Sequence, residues 1–140
     1  MIAYAESSAV LSWLLHEPGE EVVRRHFASA ERVIASSLTT LECARALRRG
    51  VQTGRLDQAD ASAAQKLLDA ASASWALVAM TDVVLDRARL PFPVEPVRTL
   101  DAVHLATARL TADAYADLAV VSLDDRVRNN ATALGLAVLP

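Results

Sequence analysis

Four acidic side chains stand where short apolar runs give way to helix starts: Glu6, Glu42, Asp101 and Asp124. Carboxylates brought within a few ångström oppose each other's ionisation, so a cluster of them calls for a compensating cation. With hard oxygen ligands and no matched Cys/His set, that cation is Mg2+ or Mn2+. Each acid also has a structural role open to it. Asp101, with Thr99 as N-cap, can complement a helix dipole for about 0.3–1 kcal/mol. Glu42 fits a capping box with Thr39, a pattern worth about 1 kcal/mol. Ser7 or Ser8 can cap the helix beside Glu6, and Asp124 or Asp125 the one through Val127. Capping alone does not explain why every one of the four positions is an acid and none a Ser or Asn.

The elements that must position these acids alternate. Ile2 to Ala5 reads as a buried strand, and Ala9 to Leu15 as a helix ended by Pro18-Gly19. Glu20 to Ala30 is helical, and Arg32 to Ala35 is a second strand. A helix opened by Thr39-Thr40-Leu41-Glu42 runs to a C-cap at Gly50. A second long helix from about Leu56 to Ala73 makes with it a hairpin projecting from the sheet. Trp75 to Met80 is a third strand, Asp82 to Leu90 a short helix, and Pro91-Phe92-Pro93-Val94-Glu95-Pro96 a stiff connector to the Asp101 helix. Leu118 to Leu123 is a fourth strand, followed by a helix to about Leu134 and a last strand from Leu136 to Leu139. Strands without in/out alternation, separated by helices, imply a parallel sheet covered on both faces. Such a sheet keeps its ligands at the carboxyl ends of its strands, where all four acids fall.

Composition narrows the possibilities. At 140 residues and 53% hydrophobic content, residues 1–140 read as one domain. No run approaches the ~18 apolar residues of a membrane span, and no signal-like segment opens the chain, which points to the cytoplasm. The net charge of −3 argues against a general nucleic-acid-coating surface, yet leaves a nuclease open, because an acidic metal site is neutralised by its own cations. Lys66 is the sole lysine, so nearly all positive charge is arginine, the side chain suited to bidentate phosphate contacts. Cys43 alone forms no internal disulfide and reads as a small buried residue. A receiver-like phosphorylation module has a similar size and layout. It needs a second acid beside Glu6 and a lysine after a late strand, whereas Glu6 is followed by serines and Lys66 lies on a helix.

Four segments together carry a resemblance: Ile2 to Leu11, Ser37 to Glu42, Arg98-Thr99-Leu100-Asp101-Ala102-Val103-His104-Leu105-Ala106, and Val120 to Asp124 followed by Ala133 to Leu136. In order and spacing the chain resembles PIN-domain proteins, and more narrowly VapC-type toxins of type II toxin–antitoxin pairs. The Leu-Asp-Ala-x-His-Leu-Ala segment is the most specific. The resemblance implies a PIN-like three-layer α/β/α sandwich with parallel strands in the order 3-2-1-4-5. It implies a metal-dependent endoribonuclease held in check by a cognate VapB-type antitoxin, as a homodimer that forms a heterotetramer or larger assembly with it. The family's acidic quartet carries over to Glu6, Glu42, Asp101 and Asp124. The first position is ordinarily Asp, and Glu6 is one methylene longer, enough to displace a metal that demands octahedral geometry at about 2.0–2.1 Å. A catalytically silent PIN module acting as a binding protein is therefore the alternative.

In the nuclease reading, one or two Mg2+ or Mn2+ ions on these carboxylates activate water against phosphorus and stabilise the leaving 3′ oxygen. Asp101 and Glu42 are the primary ligands, Glu6 the anchor and Asp124 a second-site or outer ligand. Ser7, Arg98 and Arg126 are substrate-binding candidates, with Arg128 beside them; capping or an ordinary solvated role is the alternative for each. His104, at i+3 from Asp101, is a base, a ligand or a buried structural histidine. Trp13 and Trp75 read as packing residues. The helices over Glu20 to Ala30 and Thr39 to Ala73 offer apolar and arginine-bearing surface to the antitoxin, whose own arginine can enter the acid cluster.

Overall fold

The computed structural model describes residues 1–140, with five strands and seven helices. The strands are β1 (Ile2–Ala5), β2 (Arg32–Ser36), β3 (Ala76–Val78), β4 (Leu118–Val121) and β5 (Ala137–Leu139). They pair in parallel throughout, in the order β3-β2-β1-β4-β5. The helices are α1 (Ser7–Leu14), α2 (Glu20–Ser29), α3 (Ser37–Gln52), α4 (Gln58–Ser72), α5 (Asp82–Ala88), α6 (Thr99–Ala112) and α7 (Asp125–Ala133). This is the three-layer order expected from the resemblance. No helix is long and apolar enough to cross a membrane.

Side chains of a strand point alternately to its two faces, and the core divides accordingly. Ile2 and Tyr4 of β1, Ile34 of β2 and Leu118 and Val120 of β4 pack with Phe92, Leu105, Val127 and Ala131 on the face covered by α6 and α7. Ala5 and Ala35 point the other way, against Val10, Leu14, Cys43, Leu47, Ala64 and Leu68 of α1, α3 and α4. The α3–α4 hairpin joins this core through Cys43, Leu47, Ala64 and Leu68. Alanines at positions 3, 5 and 35 let those helices approach closely, and each Val or Leu they bury contributes about 1.5–3 kcal/mol. Trp13 and Trp75 both pack on Phe27, as their patterns predicted.

Three helix boundaries differ from the sequence expectation. The N-cap of α3 is Ser36, whose hydroxyl accepts from Leu38 N at 3.0 Å. Thr39 lies inside the helix and donates to the Ala5 carbonyl, so Glu42 belongs to no capping box. The helix also runs through Gly50 to Gln52. Gly50 is buried against Leu56, whose Cδ1 would sit 2.7 Å from an added Cβ, so this glycine serves close packing and not a cap. The N-cap of α6 is Arg98 and makes no side-chain cap bond, while Thr99 is the first helical residue.

The connector to α6 is held by its own polar groups. Glu95 accepts from Phe92 N at 3.0 Å and Val97 N at 2.7 Å. Buried Asn130 of α7 clasps Val94 on both sides, accepting from its N–H and donating to its carbonyl, each at 2.9 Å. Asn130→Ala leaves these backbone groups without their partner, and is expected to cost about 1–3 kcal/mol of stability in equilibrium urea unfolding.

Candidate functional site

Parallel strand order reverses between β1 and β4, and the chain leaves the carboxyl ends of these neighbouring strands at Glu6 and Asp124. β2, which pairs with β1 on the side away from β4, runs directly into α3, whose second turn carries Glu42. Helix α6 runs back against the sheet, so its first turn, with Asp101, lies at the same edge. The side chains sit in three linked groups.

Glu6 is the N-cap of α1 and is buried. Its Oε2 accepts from Ser8 N at 3.1 Å, from Ser122 Oγ at 2.8 Å and from the Ser8 hydroxyl. Ser8 Oγ in turn accepts from Leu123 N at 2.9 Å and Asp124 N at 3.1 Å. One carboxylate and two serines thus stitch the end of β1 to the end of β4.

Glu42 Oε1 accepts from Ser7 Oγ at 2.8 Å and from His104 Nε2 at 2.6 Å. Burial by itself would raise this carboxyl's pKa. The hydrogen bonds from His104 and Ser7, with the charges of His104 and Arg98, outweigh it and hold the group below its ordinary value. His104 is 1% exposed, and its Nδ1 lies 3.0 Å from the Tyr4 hydroxyl. Burial, reinforced by the negative charge of Glu6, pushes the Tyr4 phenol far up, so it stays protonated.

Asp101 and Asp124 share Arg98. Arg98 Nε donates to Asp101 Oδ2 at 2.8 Å, and Nη2 reaches Asp101 Oδ1 at 3.3 Å and Asp124 Oδ2 at 3.2 Å. The hydrogen bonds and charge of Asp101, with the charges of Asp124 and Glu42, raise the guanidinium's pKa further. Asp124 also caps α7 through Arg126 N at 2.8 Å. The cap named beside it in the sequence reading, Asp125, is an exposed first-turn residue.

The remaining sequence candidates separate. Arg126 is exposed at the start of α7 with its side chain unpaired. Arg128 turns inward, its Nη1 donating to the carbonyls of Ser122 at 2.8 Å and Leu139 at 2.9 Å, so it ties the end of β4 to β5. Ser122 and Tyr4 were not singled out from sequence. A tyrosine in a strand of otherwise small or aliphatic buried residues was the available signal, because a buried phenol requires a partner.

The donor set suits a hard divalent cation, being all carboxylate oxygen, and the Arg98 guanidinium stands where positive charge is needed between Asp101 and Asp124. As the side chains lie, no three acids converge on one point, because Arg98 spans two of them and Glu6 is folded onto its serines. A cation held jointly by Asp101 and Asp124 therefore requires Arg98 to swing out, and with its side chain 59% exposed it is free to do so. A surface cavity of about 550 Å³ lies elsewhere, between α3 and α4, with Arg45 and Arg48 in its lining.

A parallel α/β sandwich with acids gathered at its strand-order reversal belongs to the open α/β proteins that bind their ligands at that edge. The chain matches the PIN domain family over residues 3–133 and belongs to that family. It is 36% identical over 137 residues to ribonuclease VapC46 of Mycobacterium tuberculosis, covering 97% of this chain and 95% of that one. The fold is similar to that of M. tuberculosis VapC20, a sarcin-ricin loop cleaving toxin, with TM-score 0.65 and 16% identity over 91% of this chain and 93% of that one. It is also similar to a chain of FitAB bound to a DNA fragment, with TM-score 0.64 and 16% identity over 99% and 94% of the two chains.

Cys43 is buried behind Glu42, and burial together with the charges of Glu42 and Glu6 pushes its thiol up to about 12. The thiolate is the reacting form, so iodoacetamide at pH 8 is expected to leave folded protein unlabelled and to label it fully in denaturant, read by intact mass.

Proposed function

We propose that the chain is an endoribonuclease toxin of a type II toxin–antitoxin pair, residues 1–140 forming one PIN domain that hydrolyses RNA with Mg2+ or Mn2+. The observation that carries this reading is the sharing of one guanidinium by Asp101 and Asp124, with Glu42 adding its charge, at the carboxyl edge of the parallel sheet. The near full-length likeness to a VapC ribonuclease supports it.

A divalent cation bound there supplies the positive charge that acidifies water and stabilises the leaving 3′ oxygen. Asp101 and Glu42 are the residues that would hold it, with Glu6 as the anchor and Asp124 as a second-site or outer ligand. Ser7 and His104 keep one Glu42 oxygen occupied, which leaves the other to face the ligand. Arg98, once displaced from the acids, and the exposed Arg126 are the residues that would bind phosphate. A cognate VapB-type antitoxin is the expected partner, and the arginine-lined groove between α3 and α4 offers it a surface. The homodimeric state and a cytoplasmic location belong to the same proposal.

One observation favours a silent binding module instead. Glu6, where the family ordinarily has Asp, is spent on Ser8 and Ser122. The two readings separate on cleavage of a mixed tRNA and structured-RNA pool by antitoxin-free protein with Mg2+, Mn2+ or EDTA. The nuclease cuts only with metal, leaves 5′-phosphate and 3′-hydroxyl ends, and loses at least about 100-fold in rate in Asp101→Asn, the scale of removing one group that stabilises developing charge. Folded protein that cuts nothing under any condition, and is not rescued by Glu6→Asp, establishes the silent module.

A further inference from the structure

We infer that His104 and Tyr4 form a buried positioning chain whose task is to hold the Glu42 carboxylate in one orientation for its cation. The inference rests on the metal-nuclease reading above.

The geometry leaves little choice of protons. A carboxylate oxygen has no hydrogen to give, so at 2.6 Å from Glu42 Oε1 the His104 Nε2 must carry one. The Ser7 hydroxyl already donates to the same Oε1 at 2.8 Å, so toward Nε2, 3.1 Å away, Ser7 offers only a lone pair. Nε2–H therefore points between the Glu42 carboxylate and the Ser7 oxygen. On the other side of the ring Nδ1 is hydrogen-bonded to the Tyr4 hydroxyl at 3.0 Å, so both ring nitrogens are held. Tyr4 is rigid in turn, fully buried in the central strand with its ring edge-on to the imidazole.

The chain thus runs from the sheet's middle strand through α6 to α3, linking three elements by side-chain hydrogen bonds alone. Its product is asymmetric: Glu42 Oε1 holds two donors, and Oε2 is left without a protein partner. A lone buried histidine used only for packing has no need of a partly exposed carboxylate on one nitrogen and a buried phenol on the other. Hydrogen-bonded support of this kind behind a metal ligand commonly sets metal affinity by 10–100-fold.

The test is Mn2+ binding by isothermal titration, with cooperative melting as the check on folding. Wild type is compared with His104→Phe, His104→Gln, Tyr4→Phe and Glu42→Gln. His104→Phe is expected to weaken Mn2+ binding about 10–100-fold. His104→Gln, which keeps an N–H toward Glu42, is expected to recover most of the loss. Tyr4→Phe, which never touches Glu42, is expected to weaken binding in the same direction by a smaller factor. Because His104 acts through Glu42, adding His104→Phe to Glu42→Gln produces no further loss. Wild-type affinity in folded His104→Phe overturns the inference and leaves the nuclease reading standing, as does an undiminished further loss on the Glu42→Gln background. Absence of Mn2+ binding in wild type overturns both. A readout free of metal also applies: long-range 1H–15N spectra of the imidazole are expected to show a protonated Nε2, and a bare Nε2 overturns the chain.

Discussion

The constraint on which the site depends is mutual repulsion among carboxylates that the fold forces together. Glu6, Glu42, Asp101 and Asp124 come from four separate segments, and each arrives with its own compensation. Glu6 has the first-turn N–H of α1 and two serine hydroxyls. Glu42 has Ser7 and His104. Asp101 and Asp124 divide a single arginine. Hydrogen bonds to an ionised acceptor are about twice as strong as neutral ones, which makes such a cluster tolerable in the fold. The same arrangement concentrates negative potential at the sheet edge, offset in part by the Arg98 guanidinium.

The sheet explains why the four segments meet. Crossovers on one face build β1-β2-β3, those on the other build β1-β4-β5, and the seam between β1 and β4 is the one place where neighbouring connections diverge. Residues with no part in chemistry maintain that seam. Ser8 and Ser122 join its two lips, Arg128 holds β4 to β5, and Asn130 clasps the connector that delivers Arg98 and Asp101. Small side chains at Ala3, Ala5 and Ala35 bring α1 and α3 close enough for Ser7 and Glu42 to reach one histidine.

The departures from the sequence reading share a cause. Thr39 and Glu42 have the spacing of a capping box, yet the carbonyl of Ala5 in the neighbouring strand claims the threonine hydroxyl and leaves Glu42 free to face the site. Gly50 has the look of a helix end, but the packing of Leu56 requires a residue without a side chain inside the helix. Arg128 and Arg126 are equivalent by charge and position in sequence, and the open carbonyls at the ends of β4 and β5 draw only one of them inward. In each case a long-range partner overrode a local pattern, and local patterns carry no information about such partners.

What the chain alone determined is the alternation of strands and helices, the two-faced core and the recurrence of an acid after β1, after β4 and at the starts of α3 and α6. These follow from apolar periodicity and from which residues interrupt it, both local properties. The family resemblance, carried by the Leu-Asp-Ala-x-His-Leu-Ala segment, added the strand order. Tertiary structure decided the pairing: that Arg98 spans two acids, that Glu6 turns onto serines, and that Tyr4 and His104 stand behind Glu42. Residues 4, 42 and 104 are far apart along the chain, and a hydrogen bond of about 3 Å is specified only once packing has brought its two ends together.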